Sequence, residues 1–79
     1  MTLSDQILAT LCKIAPDVDP TSVDRARPLV DQLDLDSIDY LTFLAALGKE
    51  HTVAIREVDI PKLRSIDDLT QYIESHRVS

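Results

Sequence analysis

The chain is expected to fold as an all-α bundle of three longer helices and one short one. Three observations carry that expectation. Apolar residues recur at helical spacing in three separate stretches. One glycine in 79 residues argues against an all-β fold with its many tight turns. Hydrophobic residues make up 44% of the chain but aromatic ones only 4%, so a core exists and is built from Leu, Ile and Val. At this length, residues 1–79 are read as one domain, near the lower size at which a single core suffices.

The first helix is predicted from Ser4 to Ala15. Ile7, Leu8, Leu11, Cys12, Ile14 and Ala15 form its stripe, with Leu3 able to join. Ser4 or Thr2 can cap it, and Pro16 ends it because the residue before a proline avoids the helical region. The next stretch, Pro16 to Asp36, holds Pro16, Pro20 and Pro28 and is long for an unstructured connection. Val18, Val23, Leu29, Val30, Leu33 and Leu35 therefore predict that it packs over the core with a helical turn or two, one of them opening at Pro20. Asp24, Arg25, Arg27 and Asp31 are read as solvated charges.

The second long helix is predicted from Ser37 to about Glu50, with Asp36 as its cap and Asp39 adding charge to the first turn. It carries two apolar stripes. Tyr40, Phe43, Leu44 and Leu47 lie on one, and Ile38, Leu41 and Ala45 on the other. A helix apolar on two sides lies deep in a core or keeps one stripe for a partner. Gly48 is expected to mark where this helix weakens or stops. Val53, Ile55, Val58 and Ile60 follow in a linker with room for one short helix before Pro61. The last helix starts at Ser65, with Asp68 at the capping-box position and Ile66, Leu69, Tyr72 and Ile73 on its buried face. A polar tail, His76-Arg77-Val78-Ser79, closes the chain.

Charge narrows the function. Fourteen acidic against eight basic side chains leave a net charge of −6, which repels nucleic acid and disfavours an anionic membrane surface. Partners with basic patches are steered toward such a domain instead. Cys12 is the lone cysteine, read as a buried or half-buried hydrophobe that fits a reducing compartment. No signal peptide or membrane span is evident, so a free-standing, cytoplasmic, monomeric protein is expected.

The residues that point to a specific chemistry are Asp36-Ser37-Ile38. Capped by Asp36, the helix mouth sets the Ser37 hydroxyl beside unpaired backbone N–H groups, where a phosphate on that serine would be held. The tripeptide resembles the Asp-Ser-Leu signature of the acyl carrier proteins, with Ile in place of Leu. The likeness extends along the chain in the order helix, long loop, Asp-Ser-Ile-Asp helix, short helix, final helix. Leu33, Leu35, Ile55, Ile60, Leu63 and Ile66 stand at apolar positions of that family.

The resemblance implies that Ser37 carries 4′-phosphopantetheine, attached by a phosphopantetheinyl transferase, with Asp36 helping to position it. The thiol of the arm would hold acyl groups as thioesters for a ketosynthase, an acyltransferase or an acyl-activating ligase. It also implies that the chain is a carrier and not an enzyme. The Ile38, Leu41 and Ala45 stripe, with Asp39 and Arg56, would face partners. The core beside Phe43, Leu44, Leu47 and Ile60 would open to an acyl chain. Thr42, Gly48 and Lys49 stand where fatty-acid carriers usually have glutamate, and His51 replaces a customary phenylalanine. Those departures suggest a specialised fatty-acid, lipid or polyketide pathway.

Four other readings compete for these residues. Asp34, Asp36 and Asp39 lack the spacing and central glycine of a calcium loop. A serine hydrolase needs a base and a glycine-flanked elbow, and only His51 and His76 offer imidazoles. A peptidyl or aminoacyl carrier often has glycine shortly before the serine, where this chain has Leu and Asp. An unmodified helical adaptor, binding through Ile38, Leu41 and Ala45, is the alternative from another class.

Overall fold

The computed structural model describes residues 1–77; Val78 and Ser79 of the expected polar tail lie outside the described residues. Helix α1 spans Leu3–Ile14, α2 Leu29–Gln32, α3 Ser37–His51 and α4 Ile66–His76, with 3-10 turns at Pro20–Ser22 and Glu57–Lys62. The described residues contain three longer helices, and α1 packs against both α3 and α4.

Local chemistry sets the helix ends. Thr2, not Ser4, caps α1: its Oγ1 accepts from the Asp5 N–H at 3.1 Å while the Asp5 carboxylate accepts from the Thr2 N–H at 3.2 Å. Ser65 and Asp68 form the same reciprocal box at α4, as their spacing predicts. The core between the helices consists of Ile7, Leu8, Leu11, Leu29, Phe43, Leu44, Leu47, Val53, Leu63, Ile66, Leu69 and Ile73. Thr10 is also buried and donates from its hydroxyl to Glu50 at 2.7 Å, which ties α1 to the end of α3.

The long connection is ordered by its own polar groups. Asp19 caps the turn that opens at Pro20, and Gln32 reaches back to bond Asp24 and Arg27 backbone groups. Leu29 N–H bonds Arg64 O at 2.8 Å and Asp67 N–H bonds Arg25 O at 2.9 Å, so the connection is stitched to the start of α4. Arg25 is not a merely solvated charge. Its guanidinium meets Asp5 at 2.9 Å and Ser4 at 2.8 Å, and this pairing draws the Asp5 carboxyl below its usual range.

Two expectations need correction. Helix α3 does not stop at Gly48 but runs to His51, ending at Thr52 in the left-handed region with φ 56°. Gly48 serves a close approach instead: a Cβ there would lie 2.8 Å from Val53 O, where the chain turns back over the helix. The short helical segment of the linker does not stop before Pro61 but includes it, running Glu57–Lys62. A 3-10 turn tolerates the missing N–H because few of its hydrogen bonds are needed to hold so short a piece.

Candidate functional site

Ser37 is the first residue of α3 and is exposed. Asp36 ahead of it has extended backbone, and its carboxylate accepts from the Asp39 N–H at 2.8 Å. Tyr40 N–H takes the Asp36 carbonyl at 3.0 Å, the first bond of the helical ladder. The N–H groups of Ser37 and Ile38, at the same turn, precede that ladder and have no place in it. They are the donors an anion on Ser37 would meet, reinforced by the dipole of a helix of 15 residues.

Beside the serine lies a shallow, mostly apolar hollow of about 250 Å³, lined by Val30, Leu35, Tyr40, Leu41 and Ile60 together with Asp36 and Ser37. A second groove of about 360 Å³ follows α3 toward its C-terminal end, past Leu44, Ala45, Gly48, Val53 and Ile55. Leu41 and Ile60 line both, so the two adjoin as one trough that starts at the serine.

The two stripes of α3 separate as predicted. Phe43, Leu44 and Leu47 are buried and Tyr40 is half-buried against the core. Ile38 is 75% exposed and Leu41 50%, with Ala45 and Asp39 also exposed. Arg56 is exposed just ahead of the 3-10 turn Glu57–Lys62. The four residues expected to admit an acyl chain divide into two pairs. Leu44 and Ile60 line the trough, whereas Phe43 and Leu47 are fully buried beneath it.

Sequence reasoning missed Val30 and Leu35 at the serine and Ile55 at the far end. Val30 sits on α2, a helix of only four residues, too short to show a periodicity. Tyr40 was visible as a core residue but not as a wall of the hollow, although its place three residues after Ser37 puts both on one side of the helix. Its hydroxyl donates to Leu63 O, its ring meets Phe43 edge-on, and burial with the nearby Asp68 charge pushes the phenol up to about 12.

Neither imidazole is among the residues lining the hollow at the serine. His51 lies at the opposite end of α3, about 20 Å away at 1.5 Å per residue. His76 is stacked on Tyr72 at 4.0 Å on α4. Among the described residues no group of three His, Cys, Asp or Glu side chains could hold a metal ion. Nor, among the described residues, is any helix long and apolar enough to cross a membrane.

The exposed serine stands at the mouth of α3 and opens onto the apolar trough. The chain belongs to the family of the phosphopantetheine attachment site, whose model matches residues 5–73. It is 27% identical over 77 residues to an acyl carrier protein of Brachyspira hyodysenteriae, covering 98% of this chain and 99% of that one. It is 35% identical over 57 residues to an acyl carrier protein of Campylobacter curvus, covering 72% of this chain and 74% of the other. A solved structure of the acyl carrier protein from Enterococcus faecalis superposes with a TM-score of 0.71 at 25% identity, covering 96% of this chain and 99% of that one.

The family's group is covalent 4′-phosphopantetheine, and its members carry acyl chains without catalysing their transformation. They work with a phosphopantetheinyl transferase and with enzymes that use acyl thioesters. The residues present fit that group. An exposed hydroxyl can take the phosphodiester, first-turn N–H groups face it, and the trough offers apolar cover to whatever the thiol holds.

Proposed function

We propose that Ser37 is the attachment site for phosphopantetheine and that the chain presents acyl thioesters to partner enzymes in a specialised fatty-acid, lipid or polyketide pathway. One observation carries this reading: the exposed Ser37 opens onto the apolar hollow of Val30, Leu35, Tyr40, Leu41 and Ile60. Asp36 holds the helix start that orients the serine for the transferase. The base and metal ion for attachment belong to that transferase. Ile38, Leu41 and Ala45, with Asp39 and Arg56 at the rim, form the docking face, and Leu44 and Ile60 receive the acyl chain over the Phe43 and Leu47 core. A cytoplasmic, monomeric, single-domain protein fits the lone Cys12 and the acidic surface.

The specialised pathway is supported by the docking helix itself. Thr42 and Lys49 are exposed on α3, and Gly48 lines the groove beside Val53. All three dilute the acidic face on which general fatty-acid carriers rely.

Incubation with coenzyme A and a broad-specificity phosphopantetheinyl transferase should add one phosphopantetheinyl group, read by intact mass spectrometry. Ser37→Ala should abolish the addition and keep the helical circular-dichroism spectrum. Modification of Ser37→Ala would move the site elsewhere. No modification of the parent by several transferases would favour an unmodified adaptor, for which the 75% exposure of Ile38 is the supporting observation. Loading with an amino acid by an adenylating ligase, and with no fatty acid, would make the chain a peptidyl carrier.

A further inference from the structure

The trough has a floor and a roof of different character. Its floor is α3, bound into the core through Phe43, Leu44 and Leu47. Its roof is the stretch from Ala54 to Leu63, whose 3-10 turn contains no buried residue and has only slight contact with any one helix. Two tyrosine hydroxyls hold that roof. From α3, Tyr40 donates to Leu63 O at its downstream end. From α4, Tyr72 donates to Asp59 Oδ2 at 2.8 Å and lies 3.5 Å from both Ala54 O and Arg56 N at its upstream end. Ile60, the residue that lines both parts of the trough, lies between the two ties.

We propose that Tyr40 and Tyr72 are specificity-determining residues, hydroxyl latches that tie the roof to α3 and to α4 and so set the length of acyl chain the trough admits. The inference rests on the carrier reading of Ser37 and on entry of the acyl chain beneath Ile60. Sliding a longer chain between Leu44 and Ile60 requires the roof to rise, and each latch must break or stretch for it to do so. Both donors are protonated at neutral pH as any phenol is, and burial and neighbouring aspartates raise the two further. The His76 ring stacks on the Tyr72 ring at 4.0 Å. Neither tyrosine is a catalytic residue; each acts by positioning Ile60 and its neighbours.

The test uses the full chain, modified with phosphopantetheine and loaded with straight saturated acyl groups from butanoyl to tetradecanoyl. Two readouts are the rise in melting temperature on acylation and the shift of the Leu44 and Ile60 methyl resonances. The parent should show a gain that grows with chain length, peaks and then declines. In Tyr72→Phe the peak should move by about two carbons to longer chains, since each added methylene is worthwhile only where the roof can cover it. Asp59→Ala cuts the same bond from the other side without touching the Tyr72 ring, so it should move the peak equally, and the double variant no further. Tyr40→Phe should move it independently; should that half-buried change unfold the chain, Tyr72→Phe and Asp59→Ala still carry the test.

A peak that stays in place in these variants, or moves to shorter chains, overturns the inference alone. A parent that cannot be loaded overturns the carrier reading and this inference with it. A loaded parent whose Leu44 and Ile60 resonances do not respond to any chain overturns the route beneath Ile60, again with the inference.

Discussion

Gly48 carries opposing effects that can be weighed. In the middle of a helix, glycine costs roughly 0.5–1 kcal/mol relative to alanine, so Gly48→Ala would ordinarily stabilise. Here an added Cβ meets Val53 O at 2.8 Å, a backbone atom that cannot swing aside. Overpacking of this kind costs about 1–3 kcal/mol, so the net effect of Gly48→Ala is expected to be destabilisation by about 1 kcal/mol. Urea denaturation of the two proteins checks it, and a more stable alanine variant would show that the turn at Val53 yields freely. At Tyr40 the phenol is raised from 10.0 to about 12, first by burial and second by Asp68. Because the folded state holds the proton more tightly than the unfolded chain, its stabilisation is complete below pH 10 and is lost as pH rises through about 12. Melts across that window should fall more steeply for the parent than for Tyr40→Phe, by about 1 kcal/mol after allowance for the partly exposed ring. Parallel curves would show that the phenol titrates alike in both states.

At the scale of the element, α3 is a helix whose start presents Ser37 and whose faces are divided between core and surface. Its start depends on Asp36, which satisfies the Asp39 N–H. Asp36→Ala should cost about 1 kcal/mol in global stability and fray the first turn. Amide exchange at residues 38–40 should then quicken and transfer of phosphopantetheine to Ser37 should slow, while the α4 amides keep their protection. Uniform loss of protection would mean that the cap acts on the whole fold rather than on the site. The exposed face offers a second experiment. Thr42→Glu with Lys49→Glu restores acidic character without disturbing Gly48, whose packing forbids a side chain. Each rim contact is worth at most about 1 kcal/mol, so the pair should improve acyl transfer to a general fatty-acid ketosynthase by several-fold at low salt and by less at moderate salt. A parent that already equals a general fatty-acid carrier in this assay would end the case for a specialised partner set.

Over the whole molecule, a net charge of −6 is spread on a body whose Cα radius of gyration is 11.5 Å. A surface hollow of about 610 Å³ sets Asp17, Asp19, Asp24, Asp34 and Asp39 against Arg27 among the charged residues of its lining. The Debye length at 0.1 M salt is about 10 Å, comparable to that radius, so monovalent salt should relieve much of the repulsion. Raising sodium chloride from about 0.01 M to about 0.2 M should lift the melting temperature by several degrees, given that about 1 kcal/mol moves a domain of this size by 4–8 °C. A melting temperature that falls with salt would show that ion pairs such as Arg25–Asp5 outweigh the repulsion.

Much of this was legible in the chain because it is encoded locally. Helical periodicity marks α1, α3 and α4, and single side chains set their ends: Asp36 and Ser65 at two starts, and at α1 Thr2, with Ser4 an equal candidate until the structure chose. Spacing also shows that α3 carries two apolar stripes, and the Asp-Ser-Ile pattern carries the family likeness that implies which stripe faces outward; the structure shows Ile38 and Leu41 exposed and Phe43, Leu44 and Leu47 buried. Tertiary structure decided what depends on residues distant in sequence. Only packing shows that Gly48 makes room for Val53 O, that Arg25 reaches Asp5, and that Val30 from α2 closes the hollow beside Ser37. The roof of the trough is tied by hydroxyls arriving from α3 and α4, which lie 23 and 13 residues away from their acceptors. A pattern in sequence records which face of a helix is apolar, because that repeats every turn. It records neither which other segment covers that face nor how tightly, because those contacts exist only once the chain has closed on itself.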